Sequence, residues 1–298
     1  MKPSSSRFID IRGLRYHIRE WGNPRASAAH TWVMLHGWMD VSASFQFVVD
    51  QLASDWRVVA PDWRGFGLSD RAQADCYWYP DYLADLEFIL DAVIGNDPAW
   101  LIGHSMGGNI ALVYSGVRPE RVRGVVNLEG FGLRATQPEQ APARFAQWFD
   151  ELKTGRMVRD YASRAEVAAR LMKNNARLSA ERAAFLAEHW ALPNALGRWA
   201  VAGDPAHRIV NPTLYRIEEV LACWRRVECP VLWVRAAQTD VYRHVGADRD
   251  AALREIDSRM AVLRDVESAV IDDAGHMLHH DQPDEVARLV QDFARRRA

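Results

Sequence analysis

The sequence predicts an α/β protein: a mostly parallel eight-stranded sheet flanked by helices, with a helical segment inserted after the sixth strand. Three observations point there. Six short apolar runs, at 32–35, 58–60, 100–103, 122–128, 231–235 and 269–271, are continuous and bounded by turn residues, the pattern of strands buried on both faces. Segments of helical period separate them, such as Phe45, Val48, Val49 and Leu52, or Tyr82, Leu83, Leu86, Ile89, Leu90 and Val93. Residues 133–226 break the alternation, carrying several helical patterns and no clear strand.

Each element has a local reason. Leu14, Tyr16 and Ile18 alternate with Arg15, His17 and Arg19 behind Arg12-Gly13, which predicts a half-exposed antiparallel hairpin and supplies the two remaining strands. In the inserted segment, Phe145, Trp148, Phe149 and Leu152 form a stripe that stops at Gly155. Ser163 and Glu166 make a capping box ahead of a second helix, Ser179 caps a third that ends near Pro193, and Ile217, Val220, Leu221 and Trp224 mark a last one. The final helix begins near Pro283 and places Val286, Leu289, Val290 and Phe293 on one face. It closes with Arg295-Arg296-Arg297, the charge sign that a helix C-terminus favours. Residues 1–132 and 227–298 are thus expected to form the core domain and 133–226 a helical cap. Trp148, Phe149, Trp190 and Trp199 are candidate pocket residues of that cap, although aromatics at helical spacing more commonly pack inward.

Composition bounds the function. A chain of 298 residues, 49% of them hydrophobic, can bury about three quarters of its unfolded surface, which excludes disorder and a stapled mini-protein. The 37 basic and 39 acidic residues give a net charge of -2 with no long block of one sign, so neither nucleic acid nor an anionic membrane is an expected partner. A small-molecule substrate is expected, and a homodimer is left open. Cys76, Cys223 and Cys229 are odd in number and fit no metal or redox spacing. The N-terminus lacks the apolar stretch of a signal peptide, and no window reaches 18 uninterrupted apolar residues. A cytoplasmic protein without a membrane span is expected.

The chemistry-bearing motif is Gly103-His104-Ser105-Met106-Gly107. It follows an apolar run and precedes Ile110, Ala111, Val113 and Tyr114 at helical spacing, so strand, G-x-S-x-G and helix come in succession. The sharp turn strains the serine backbone, and glycines on either side let strand and helix approach. A serine hydroxyl needs a neighbouring base, itself oriented by a carboxylate. Of the ten histidines, His276 is placed as that base because it follows the last apolar strand, and loops after the carboxyl ends of parallel strands converge on one crevice. The acid is placed at Asp240, just past the preceding strand, with Glu129 in Leu128-Glu129-Gly130 as the competing assignment. Asp272 and Asp273 are read as structural. The N–H groups of Trp38 and Met106 are the expected oxyanion donors. His279 and His280 form no H-E-x-x-H or similar spacing, so no metal is expected, and His279 is read as a buttress of the loop.

Together with His36-Gly37, Gly275-His276 and the stretch Asp62-Trp63-Arg64-Gly65-Phe66-Gly67-Leu68-Ser69, these residues resemble the α/β-hydrolase superfamily over nearly the whole chain outside the cap. The segment Asn127-Leu128-Glu129-Gly130-Phe131-Gly132 is similar to its serine hydrolase-like branch. The resemblance implies an α/β-hydrolase fold, the chain order serine, acid, histidine, and no organic cofactor. It makes Asp62 and Arg64 structural braces of the oxyanion side. Many members carry glycine where Ala236 stands, a departure at the start of the acid loop. The expected activity is hydrolysis of a small carboxylic ester. Carbon–carbon bond, thioester or lactone hydrolysis would use the same residues, and a ligand-binding module that lost turnover is the non-enzymatic alternative.

Overall fold

The computed structural model describes residues 1–155, 159–194, 196–246 and 248–297. The chain opens with the hairpin β1 (Ser4–Ile11) and β2 (Leu14–Gly22), then β3 (Thr31–Leu35), α1 (Gln46–Gln51), β4 (Arg57–Pro61), α2 (Tyr79–Ile94), β5 (Ala99–His104), α3 (Met106–Val117) and β6 (Val122–Leu128). After the inserted segment come β10 (Val231–Ala236), α8 (Arg249–Met260), β11 (Val266–Ile271), the single turn α9 (Leu278–Asp281) and α10 (Pro283–Arg297). The eight strands pair in the order β1-β2-β4-β3-β5-β6-β10-β11. β1 pairs antiparallel with β2, and β2 with β4; every other pairing is parallel.

The continuous apolar runs follow from two cores, one on each face of the sheet. Along β3, Val33 and Leu35 face one core while Trp32 and Met34 face the other; along β10, Val231 and Trp233 alternate with Leu232 and Val234 in the same way. Ile89, Leu90, Ile110, Leu112 and Trp224 cover the first face, and Val48, Val49, Val286, Val290 and Phe293 cover the second. Two expectations need correcting. β11 is an edge strand with Val270 exposed, where burial on both faces was expected. Its rim is held by charge, since Arg297 pairs with Asp265 at 3.0 Å and Arg296 with Glu267 at 2.7 Å, which is the work of the C-terminal arginines. In the hairpin, His17 is as buried as Tyr16 and Ile18 because its ring meets Asp62.

The segment 133–226 contains α4 (Ala141–Thr154), α5 (Arg164–Asn174), α6 (Ala180–Trp190) and α7 (Ile217–Trp224). Ser163 and Ser179 cap α5 and α6 as expected, each accepting a backbone N–H at 3.2 Å. Contrary to an all-helical reading, it also holds a small antiparallel sheet of β7 (Asp160–Tyr161), β9 (Trp199–Val201) and β8 (Ala191–Pro193). Strands of two or three residues are too short to carry a period. Furthermore, α7 packs on α3: Trp224 lies in the main core and Arg226 Nε donates to Gly116 O at 3.1 Å, so the last predicted helix of the insertion serves the sheet layer. Among the described residues no helix is long and apolar enough to cross a membrane.

Close approach at the turn between β5 and α3 dictates its glycines. A methyl group on Gly103 would lie 2.4 Å from the Gly107 carbonyl, and one on Gly107 would lie 2.0 Å from Leu35 O. Backbone cannot yield as a side-chain tip can, so Gly107→Ala is expected to cost about 3 kcal/mol or more. Thermal unfolding of that variant checks it, with a wild-type Tm contradicting the packing described.

Candidate active site

Ser105 sits between β5 and α3 at φ 51°, ψ −113°, a conformation that costs a non-glycine residue about 1–3 kcal/mol. Its N–H donates to Leu128 O at 2.8 Å, which fixes the turn against the end of β6, and its carbonyl accepts from Asn109 N at 3.1 Å to start the helix. The side chain is half-buried.

The loop after β3 rides on this turn. A methyl group on Gly37 would lie 3.2 Å from Ser105 Cβ and 2.9 Å from His104 Nδ1. Gly37, the residue before Trp38, thus lies against Ser105 across space, and Met106 adjoins Ser105 along the chain. Met106 is the first residue of α3, where helix geometry leaves the N–H without an intrahelical acceptor. His36 secures the loop: its Nδ1–H donates to Gly37 O at 2.7 Å and its Nε2 accepts from Trp63 N at 2.9 Å. Burial keeps this imidazole neutral by pushing its pKa down.

Asp62 braces the same loop, accepting Ser42 N at 2.7 Å and Leu68 N at 2.9 Å, with His17 Nδ1 at 2.8 Å. Burial alone would raise its pKa, but the His17 hydrogen bond and charge, with the Leu68 N–H, outweigh it and hold the carboxyl well below the usual range. Arg64 is similarly structural, with Nη2 2.6 Å from Asp85 Oδ1. Because the folded pKa of Asp62 lies below the unfolded one, its contribution is complete above about pH 4 and fades as acid titrates the folded carboxylate. Asp62→Asn should therefore lower Tm at pH 7 by about 5–8 °C, matching about 3–5 kcal/mol for a broken buried pair. The loss should shrink on acidification below about pH 4. Tm measured against pH for both proteins checks the sign.

His276 lies in the turn between β11 and α9, and its carbonyl accepts from His104 Nε2 at 2.8 Å, so the residue before Ser105 anchors the imidazole's loop. His276 Nδ1 faces Glu129 Oε2 at 3.3 Å. That is long for a charge-assisted bond, as is common where the contact tightens only in the reacting complex. Glu129 is buried and adopts φ 59°. Its Oε1 accepts Ala236 N at 2.7 Å, and its Oε2 accepts the Thr239 hydroxyl.

The carboxylate beside the imidazole is thus Glu129, and Asp240 is corrected on this point. Asp240 is 64% exposed and pairs with Arg243 at 3.1 Å. The loop after β10 turns too tightly to bring it inward: Ala237 N donates to Ile271 O, Gln238 N to Ala274 O and Thr239 N to Ala236 O. That turn presents Thr239 instead, a residue the sequence reading missed. Among the hydrogen bonds of the described residues none joins Ser105 Oγ to His276; with Nδ1 turned to Glu129, Nε2 is the edge left to take a proton. Asp272 and Asp273 are exposed, and Asp273 pairs with Arg177 at 3.3 Å, consistent with a structural part.

The sequence profile described as the alpha/beta hydrolase fold matches residues 32–283. The chain belongs to the α/β-hydrolase fold family. Among its relatives this hydrolase is 28% identical over 271 residues to a serine hydrolase-like protein of Danio rerio, spanning 87% of this chain and 79% of that one. It is 35% identical over 135 residues to a 2-hydroxymuconate semialdehyde hydrolase of Pseudomonas sp., spanning 44% of this chain and 45% of that one. A 3-hydroxybutyrate-oligomer hydrolase of Cupriavidus necator is 28% identical over 303 residues, 95% of this chain and 93% of its own.

The inserted segment of this α/β hydrolase touches the loops that carry the site. Trp190 Nε1 donates to Ser44 Oγ at 3.0 Å, Arg182 Nη1 to His280 O at 2.6 Å, and Gly67 N to Ala202 O at 2.8 Å. Of the candidate pocket aromatics, Phe149 is 51% exposed, because α4 packs little of its surface. Trp148 is half-buried, and Trp199 lies under the Arg164 guanidinium at 4.3 Å. His279 is fully buried, with Nε2 3.6 Å from Asp40 Oδ2.

Proposed function

We propose that this α/β hydrolase cleaves a small carboxylic ester through an acyl-enzyme intermediate. Ser105 Oγ attacks the carbonyl carbon as its proton passes to His276 Nε2, and the N–H groups of Trp38 and Met106 hold the oxyanion of the tetrahedral adduct. Collapse of the adduct breaks the bond to the alcohol, which leaves with the proton from the imidazolium. Water then attacks the acyl-enzyme with His276 again as base, releasing the acid and restoring Ser105. Glu129 stabilises the imidazolium and fixes its Nδ1 tautomer, while Thr239 and the Ala236 N–H hold Glu129. This chemistry needs no metal or organic cofactor.

The observation that carries the reading is the contact of Glu129 with His276, whose carbonyl is held by the residue before a serine at positive φ. Likeness to the 3-hydroxybutyrate-oligomer hydrolase over 95% of the chain supports an ester. Residues 133–226, lying against the site loops, are read as the cap that selects substrate. Likeness to the 2-hydroxymuconate semialdehyde hydrolase favours a second reading, carbon–carbon bond hydrolysis by the same residues. Comparing kcat/KM on a chromogenic acetate or butyrate ester, the matching thioester and a dienoate separates them. The ester is expected to lead by at least about tenfold, equivalent to 1.4 kcal/mol of differential transition-state binding. A dienoate in the lead selects the second reading.

A further inference from the structure

Directly beneath the site lies a cluster that the proposed hydrolysis does not use. Asp40, His104, His279 and His280 are all at most 2% exposed, and the rings of His104 and His280 each lie 4.2 Å from that of His279. Five of their polar atoms are buried without a hydrogen-bond partner: Asp40 Oδ2, His104 Nδ1, both nitrogens of His279, and His280 Nε2. Buried polar atoms are normally paired, and several orphans converging on one place signal an ion or ordered water. Donor atoms of Asp40, His279 and His280 lie within 4.8 Å of one another.

We propose that Asp40, His279 and His280 bind one divalent transition-metal cation of the zinc class. A triangle with no side above 4.8 Å has a point within about 2.8 Å of every corner (side over √3), and zinc–nitrogen and zinc–oxygen bonds are about 2.0–2.2 Å, so movements under about 1 Å complete the site. Two imidazoles and a carboxylate suit such an ion. The second carboxylate oxygen supplies the support that metal ligands commonly have: Asp40 Oδ1 accepts Val41 N at 2.7 Å and the Ser44 hydroxyl, to which Trp190 donates.

A protonated His279 is the competing source of positive charge for Asp40, but it fits less well. At 3.6 Å its Nε2 is too far for a hydrogen bond, and its Nδ1–H would be a buried donor with no acceptor. A cation takes one lone pair from the neutral ring, so His279 keeps a single N–H instead of two and Asp40 Oδ2 gains a partner. His104 stays beside the metal rather than on it, since the donor atoms that lie within 4.8 Å of one another are those of Asp40, His279 and His280. Access is short: His280 packs edge-on against Phe47, and a surface cleft of about 380 Å³ is lined by Phe47, Arg182 and Phe185.

Position gives the ion a task. Asp40 stands two residues after Trp38, and His279 and His280 stand three and four residues after His276. One cation would tie the loop bearing an expected oxyanion donor to the loop bearing the base, two segments nearly 240 residues apart in the chain.

The test uses full-length protein stripped with a chelator, given zinc, dialysed and assayed for metal and for Tm. One zinc per chain and a Tm rise of about 4 °C at a hundredfold excess over Kd are expected. Cobalt should give the intense visible bands of a low-symmetry four-coordinate ion. His279→Gln and His280→Gln, shown folded by circular dichroism, should each lose the bound equivalent. The double variant His30→Gln/His244→Gln, which removes exposed imidazoles, should keep it. No zinc retained by the wild type, with no Tm shift, overturns the proposal even if the variants fail to fold. Retention of the equivalent by both folded cluster variants also overturns it, as surface binding. None of these readouts depends on catalysis, so failure here leaves the hydrolase reading intact.

Discussion

Ser105→Ala is expected to lower kcat on a chromogenic acetate ester by about 10⁴–10⁶-fold, the range seen when the nucleophile of such a constellation is removed. The substitution deletes one oxygen from a half-buried side chain. Alanine can occupy the same backbone well, so Tm should change by no more than a few degrees. That combination separates chemistry from folding. Activity within tenfold of wild type would mean that another group attacks the ester. A large fall in Tm would mean that the serine hydroxyl itself holds the turn.

The second large effect concerns the acid. Glu129→Gln keeps the shape and one acceptor for the Ala236 N–H but removes the charge that faces His276, and kcat should fall by about 10⁴-fold through the wrong imidazole tautomer and an unpaired imidazolium. Asp240→Asn should stay within about twofold of wild type, because only an exposed pair with Arg243 is lost and such pairs are worth about 1 kcal/mol or less. Steady-state kinetics on the two variants decide between them. The reverse ranking would contradict the placement of Glu129. Thr239→Val, nearly isosteric, should lower kcat by about 10-fold, roughly the net worth of a hydrogen bond to a charged group.

Most of the sheet was legible because burial on both faces writes itself as unbroken apolar runs; the run 269–271, on the half-exposed edge strand β11, is the exception. All six runs fall on observed strands, and 122–128 coincides with β6. The turn that bears the proposed nucleophile was legible for a steric reason, since only glycine tolerates the approach to Leu35 O and to the α3 backbone. The acid was not. It depended on how the four residues 237–240 after β10 fold back, and that path is set by Ala236 N reaching across to Glu129, a contact between residues 107 apart. The unusual residue was visible as a lone glutamate between an apolar strand and Gly130, but nothing in a period of two or 3.6 announces that its backbone adopts φ 59°. The Asp40, His279 and His280 cluster escaped for the same reason: its members come from loops far apart, where spacing rules for metal ligands have no purchase.

The central claim is that the Ser105 hydroxyl is made nucleophilic by His276. Reaction of the native protein with a fluorophosphonate, followed by peptide mass spectrometry, tests it most directly. A single adduct on Ser105, absent in Ser105→Ala and formed at least about 10³-fold more slowly in His276→Ala, is the predicted result. No adduct on the wild type, or labelling undiminished in either variant, would contradict it.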